Sequence, residues 1–407
     1  MLKPLTLTVA ALLCGSASAS LQTQPLDDLM TEFLRTNQVP GAALAVTHKG
    51  NLVYSRGFGF ADHAKTKKVT PTSLFRIASI SKPITSVAIF TLVDQGEIKL
   101  EDKLLDVLFP KQKHEYADVR MKEITLRHLL QHRAGWDRQR SFDPMFVLAK
   151  IAAEQQVAMP PSKLDIRNFM FKRSLDFDPG TETAYSNFGY MLLGLVIEKV
   201  SGQTYEDYVQ YAVLTPIGIS SMTLGRSTPP NRAVNEVEYF DDTRKSVAVV
   251  GENIGSSVPT PYGGFYLEAM DAHGGWIASA EDLARFACAV DLTGEYFLST
   301  ASTAAMVARP PDSQVQAKSP VYYGCGWSVR VVNDEGAKNI WHTGALPGTS
   351  TLLVSRHDDY TWAVLCNTRR NAKGQELSGR IDPLDHQAVN KVKKWPSPLV
   401  DGLKDRK

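Results

Sequence analysis

The sequence predicts an α+β fold: one antiparallel sheet built from both ends of the chain, flanked by helices, with a mainly helical lobe inserted between. Three observations predict it. β-rich runs sit at 42–60 and again at 324–366. The stretch between them has apolar residues at helical spacing. The length of 407 residues, 43% of them hydrophobic and 22% charged, suits a globular enzyme with two lobes.

In chain order, Leu26 to Leu34 has the spacing of a helix. Ala42 to Thr47 and Leu52 to Phe60 read as strands joined at His48-Lys49-Gly50-Asn51. From Ser79 to Leu92 the period is helical, with Pro83 in the first turn, where no amide donor is needed. Further helices are expected at Leu126–His132, Asp143–Ala153, Asn187–Val200, Tyr205–Val213 and Ala280–Val290. Ser279 and Asp282 form a capping box for the last of these. Residues 251–275, rich in Gly, Ser and Pro, read as a loop beside a cleft. Strands return at Gly324–Val332, Asn339–Gly344, Ser350–Ser355 and Thr361–Cys366. A helix is expected from Pro383 to Trp395, capped by Asp382 and burying Leu384, Ala388, Val389 and Val392. The basic end, Lys391 to Lys407, reads as mostly solvated.

Residues 1–19 have the pattern of a cleavable signal peptide: Lys3, an apolar run from Leu5 to Leu13, then Ala17-Ser18-Ala19. The expected location is therefore periplasmic or secreted. Residues 20–375 form a single two-lobed module, with a sheet lobe from 20–78 and 320–375 and a helical lobe from 79–319. Residues 376–407 complete the chain as a helix and basic tail. No later run is long enough to span a membrane. The formal net charge of +2 gives no reason to expect nucleic acid as a partner. No cofactor motif or metal-ligand set is spelled out, and His128 and His132 are read as structural. Cys288, Cys325 and Cys366 allow at most one disulfide and read better as small buried hydrophobes. The sequence gives no oligomeric state.

Three short motifs carry the chemistry. Ser79-Ile80-Ser81-Lys82 places a hydroxyl and an amine at i and i+3, side by side on a helix. A serine hydroxyl is a weak nucleophile until a neighbour takes its proton, and a partly buried lysine can do so. Tyr185-Ser186-Asn187 sits at a loop–helix junction, where a phenol can join the proton relay and the asparagine can hold the lysine. His342-Thr343-Gly344 closes a strand, and the next residue, Ala345, can offer its amide to a carbonyl oxygen.

In this order and spacing the motifs resemble the serine β-lactamase and D-alanyl-D-alanine peptidase (penicillin-binding-protein-like) superfamily. The closer likeness is to its class C β-lactamase-related branch, which includes esterases and D-aminopeptidases. Leu126-Arg127-His128-Leu129-Leu130, Gly274-Gly275 and Tyr323-Gly324-Cys325-Gly326-Trp327 support it, and the likeness runs from about residue 25 to 370. The resemblance implies a β-lactamase/transpeptidase-like fold. It implies that Ser79 is acylated, that Lys82 and Tyr185 relay the proton, and that Asn187 positions Lys82 and substrate. It also implies that the Ser79 and Ala345 amides form an oxyanion hole, and that His342 and Thr343 on an edge strand contact the substrate. Many members carry lysine where this chain has His342. A histidine is mostly uncharged near neutral pH. The substrates expected are therefore small esters, then D-amino-acid amides or peptides, then β-lactams. A non-catalytic cell-envelope or binding protein on the same fold is the alternative.

Overall fold

The computed structural model describes residues 22–110, 115–241, 245–290, 297–311 and 319–399. The expected signal peptide and residues 400–407 of the basic end lie outside them. In chain order the strands are β1 (Gly41–His48), β2 (Asn51–Gly59), β3 (Phe75–Arg76), β4 (Thr223–Leu224), β5 (Lys245–Val247), β6 (Ser257–Pro259), β7 (Trp276–Ala278), β8 (Val321–Tyr323), β9 (Ser328–Val331), β10 (Lys338–Leu346), β11 (Thr349–Ser355) and β12 (Tyr360–Cys366). The longer helices are α1 (Gln24–Asn37), α2 (Ser81–Asp94), α3 (Lys163–Phe171), α4 (Asn187–Ser201), α5 (Ala280–Ala289) and α6 (Ser378–Lys391).

The expected sheet from both chain ends forms. Its order is β2-β1-β12-β11-β10-β9-β8, antiparallel throughout. Successive side chains of a strand point to opposite faces, and here each face meets its own core. Ala43 and Ala45 of β1 and Ala363 and Leu365 of β12 join the core on the α5 side. Ala42, Leu44, Val46, Trp362 and Val364 join the core under α1 and α6. The small alanines of β1 admit α5, itself alanine-rich, close to the sheet. Each large aliphatic buried this way contributes about 1.5–3 kcal/mol. The β1–β2 turn takes positive φ at both Lys49 (50°) and Gly50 (81°), the conformation that matches strand twist.

Helix α2 is buried almost all round, so it runs through the middle of the molecule. Its polar side chains are all satisfied inside. Thr85 donates to the Ala272 carbonyl, Ser86 to the Cys325 carbonyl, and Ser81 accepts from the Trp276 amide.

Several expectations need correction. The helix expected from Ser79 begins at Ser81, and Ala78–Ile80 is a 3-10 turn before it. Asp143 caps a short turn, Pro144–Phe146, and the helix follows at Leu148–Gln155. Helix α3 was not expected, although Ser162 and Asp165 form its capping box. A small second sheet, β3-β7-β4, joins Phe75–Arg76 to the stretch between the two β-rich ends, and the 251–275 stretch contributes β6 and a short helix, Asp271–Gly274. Of the strand expected at 324–332 only β9 forms, and it pairs back on β8 across a turn that holds Gly326 at φ 83°.

The C-terminal helix starts at Ser378, not at Pro383. Pro383 lies inside it and gives up one backbone bond to Gly379, four residues earlier. Leu384 faces outward, 37% exposed, while Ala388, Val389 and Val392 are buried as expected. The segment after it is not a solvated tail: Trp395 packs on the sheet and donates to the Tyr360 hydroxyl at 3.0 Å, and the Leu399 amide bonds the Leu52 carbonyl. Cys288, Cys325 and Cys366 are buried, as expected, and none of the three is in a disulfide. No described helix is long and apolar enough to cross a membrane.

Candidate active site

Ser79 sits in the 3-10 turn that carries the chain from β3 into α2. It is partly exposed among buried neighbours. Ala78, just before it, holds φ 49°, a left-handed conformation that a side chain disfavours. Two threonines of β11 hold the preceding backbone: Thr349 Oγ1 donates to the Arg76 carbonyl and Thr351 Oγ1 to the Ile77 carbonyl, both at 2.9 Å. Arg76 is anchored from the other side. Its guanidinium donates to the Pro261 and Arg226 carbonyls and stacks on the Tyr239 ring, 4.4 Å from its centroid.

One turn into the chain from Ser79, Lys82 is wholly buried. Its Nζ lies 3.3 Å from Ser79 Oγ, 2.8 Å from Asn187 Oδ1 and 2.9 Å from the His273 carbonyl oxygen. Burial pushes its pKa well below the ordinary lysine value, and Arg138 adds to this while Asp143 opposes it. A neutral amine has two N–H donors and one lone pair. Asn187 Oδ1 and the carbonyl can only accept, so they take both N–H groups. The lone pair is left facing the Ser79 hydroxyl.

Asn187 opens α4, where Ser186 caps the helix by accepting from the Gly189 amide. Its Nδ2 donates to Asp143 Oδ2 at 2.6 Å. The other Asp143 oxygen accepts from the Met145 amide. Asp143 was read from sequence only as the start of a helix. Asp-Pro signals a turn, and nothing in its spacing points to Asn187.

Tyr185 is within hydrogen-bond reach of Ser79, and its ring centroid is 4.7 Å from Lys82 Nζ. Burial raises its pKa above the ordinary phenol value, so it is a neutral O–H through the physiological range. His132 packs against this ring at 4.3 Å and accepts from the Ser186 amide through Nδ1. The structural role expected for His132 therefore holds, as it does for His128, which accepts from the Thr125 amide. Among the described residues no group of three or more His, Cys, Asp or Glu could hold a metal.

The third motif departs most from expectation. β10 is not a sheet edge, but β9 pairs with it only from Lys338 to Trp341. Residues 342–346 therefore have one open side, and they run beside the Ala78–Ile80 turn. Thr343 is exposed there and Ala345 partly so. His342 is buried, 5% exposed. Its Nδ1 faces the Thr343 carbonyl at 2.7 Å, which can only accept, so Nδ1 carries the proton. Nε2 then accepts from the Tyr323 hydroxyl at 3.0 Å. Burial lowers the pKa of His342 to about 3, with the Lys82 charge second. His342 is thus a neutral wall residue and not a cation offered to substrate. A Cβ at Gly344 would overlap the Ile77 carbonyl and Thr351 Oγ1, so glycine is needed to seat β10 against the Ser79 turn.

A hydroxyl, a buried amine and a neutral phenol converge here on an antiparallel sheet with helices on both faces. That combination defines the serine β-lactamase and penicillin-binding-protein-like superfamily. A sequence model of the beta-lactamase family matches residues 26–384, and the chain belongs to that family. It is 29% identical to penicillin-binding protein 4* of Bacillus subtilis over 336 residues, 81% of this chain and 68% of that protein. It also matches Protein flp of Staphylococcus aureus at 29% identity over 195 residues, 48% of this chain but only 36% of that protein's length. Two solved structures share the fold. D-amino acid amidase from Ochrobactrum anthropi SV3 has a TM-score of 0.68 at 19% identity, covering 91% of this chain and 98% of the amidase. EstCE1, a hydrolase with promiscuous acyltransferase activity, has a TM-score of 0.69 at 19% identity, covering 92% and 99%. Family and site together support a serine hydrolase.

Proposed function

We propose that this chain hydrolyses small esters, and next to them D-amino-acid amides, through an acyl-enzyme on Ser79, in the periplasm or outside the cell. The observation that carries the reading is the position of Lys82 Nζ, 3.3 Å from Ser79 Oγ with Asn187 Oδ1 and the His273 carbonyl as its other two partners, so that the deprotonated amine turns its lone pair to the hydroxyl. Lys82 takes the Ser79 proton as Oγ attacks the substrate carbonyl. Tyr185, neutral and bonded to Ser79, passes a proton to the leaving alcohol or amine, and Lys82 replenishes it. The Ser79 and Ala345 amides are the donors for the developing oxyanion. Water then cleaves the acyl–serine bond by the reverse proton path.

Esters rank first because they need the least help to expel their leaving group. The fold shared with a D-amino acid amidase supports amides of D-amino acids as the next class. β-Lactams rank last, because His342 is neutral and supplies no charge for the carboxylate such substrates carry.

Hydrolysis of p-nitrophenyl acetate by the purified protein and by Ser79→Ala tests the reading. Turnover that disappears in the variant supports it. Equal turnover in both, or failure of a fluorophosphonate to label Ser79, overturns it.

A further inference from the structure

Most charged groups around the site are engaged. Lys82 is sealed and its three neighbours are assigned. Asp143 spends its two oxygens on Asn187 and Met145. On the loop that leads to it, Asp137 pairs with Arg140 at 3.4 Å, and Arg140 also pairs with Glu182 at 2.5 Å. Asp176 accepts from the Asp137 amide and the Ser141 hydroxyl. Arg138, in the middle of this loop, is different. It is exposed and makes no hydrogen bond or ion pair with any described residue. It lies over the Tyr185 ring, with the guanidinium carbon 4.8 Å from the centroid.

That placement leaves an unspent cation at the mouth of the site. The ring beneath it is the one that approaches Lys82 Nζ at 4.7 Å. Contact with the ring restrains the guanidinium while its N–H donors stay free, the state in which it donates bidentately to a carboxylate. Its charge reaches Lys82, Tyr185 and Asp143, so it lies in the field of the reacting groups.

Resting on the serine-hydrolase reading above, we infer that Arg138 is a specificity-determining residue that selects substrates bearing a carboxylate on the acyl side.

Two esters of similar length test it: p-nitrophenyl butyrate, which is neutral, and p-nitrophenyl hemisuccinate, which ends in a carboxylate. The readout is the ratio of kcat/KM for the anionic ester to that for the neutral one, in the wild type, Arg138→Gln and Arg138→Lys. An exposed ion pair is worth up to about 1 kcal/mol, so the ratio should fall about fivefold in Arg138→Gln. The fall should lie in KM, Arg138→Lys should stand between, and raising the salt should lower the wild-type ratio but not that of Arg138→Gln. A ratio that does not move, or two esters that decline in parallel, overturns the inference and leaves the hydrolase reading standing. Failure of the wild type to turn over either ester overturns both.

Discussion

The Asp143 carboxylate accepts a hydrogen bond from the Asn187 amide nitrogen at 2.6 Å, and this contact decides which atom of Asn187 faces Lys82. With Nδ2 committed to Asp143, Oδ1 must point at the amine. Turned the other way, two acceptors would face each other and two donors would compete. In Asp143→Ala the amide is free to rotate. Its kcat/KM for ester hydrolysis should fall by about 10–100-fold, chiefly in kcat, the order expected when a proton-transfer group loses its alignment. Asp143→Asn keeps an acceptor and should lose less. Steady-state kinetics of the two variants side by side check this, and a fully active Asp143→Ala would place the control of Asn187 elsewhere.

The pH profile follows from the same amine. Below its depressed pKa, Lys82 is an ammonium with no lone pair, and the base is lost. Activity should therefore rise with pH through the Lys82 value and then stay level. No alkaline limb should appear in the ordinary phenol range, because Tyr185 titrates above it. His342, held near 3, is neutral through the physiological range. His342→Gln should leave the midpoint of the acid limb where it is. A midpoint that moves by more than about half a unit would mean that His342 titrates with the site.

Gly344→Ala should be far more damaging than Thr343→Ala. The added methyl collides with the Ile77 carbonyl and Thr351 Oγ1, while Thr343 stands in the open. Overpacking of this kind costs about 1–3 kcal/mol, and here the strain falls on the Ser79 turn. Ester turnover should drop in Gly344→Ala even where circular dichroism still shows a folded protein. Equal activities in the two variants would contradict the seating role of Gly344.

Asp385 on α6 is buried at 1% exposure, and neither carboxylate oxygen has a partner among the described residues. Burial raises its pKa well above 3.8, with Asp382 adding to the shift. The folded chain thus keeps a proton that the unfolded chain releases above about pH 4. Stability is lost as pH rises from the unfolded value to the folded one. Asp385→Leu should raise the melting temperature, and by more at pH 8 than at pH 4. Each unpartnered polar group costs about 1–3 kcal/mol, so the effect should be plain in a thermal melt. A variant that melts below the wild type at both pH values would show that the carboxyl has a partner.

What was legible in the sequence was what lies close along the chain. Ser79 and Lys82 are i and i+3 neighbours, and Tyr185 and Asn187 share one helix start, so their chemistry could be read directly. The β-rich ends announced the sheet because short apolar, β-branched runs bounded by turn residues are written residue by residue, as strands buried on both faces require. Asp143 and Arg138 were invisible because only tertiary packing brings the 137–143 loop to Tyr185 and Asn187. His342 was read as facing substrate because strand position does not reveal that Tyr323 covers it. The C-terminal segment misled for a related reason: Trp395 among lysines looks solvated until Tyr360 is seen beneath it.

The Ser79 hydroxyl and the Lys82 amine are three residues apart, yet they take their bearings from different layers. The sheet, through Thr349 and Thr351, fixes the backbone that presents the serine. The helices, through Asn187 and the His273 carbonyl, aim the lysine. Catalysis in this protein is thus a gauge of how two slabs are seated on each other. A slip of a few tenths of an ångström would spoil the alignment of lone pair and hydroxyl and leave each slab's own hydrogen bonds whole. Mild denaturant or a remote core mutation should silence the enzyme before any spectroscopic sign of unfolding, and turnover is the more sensitive thermometer of the fold.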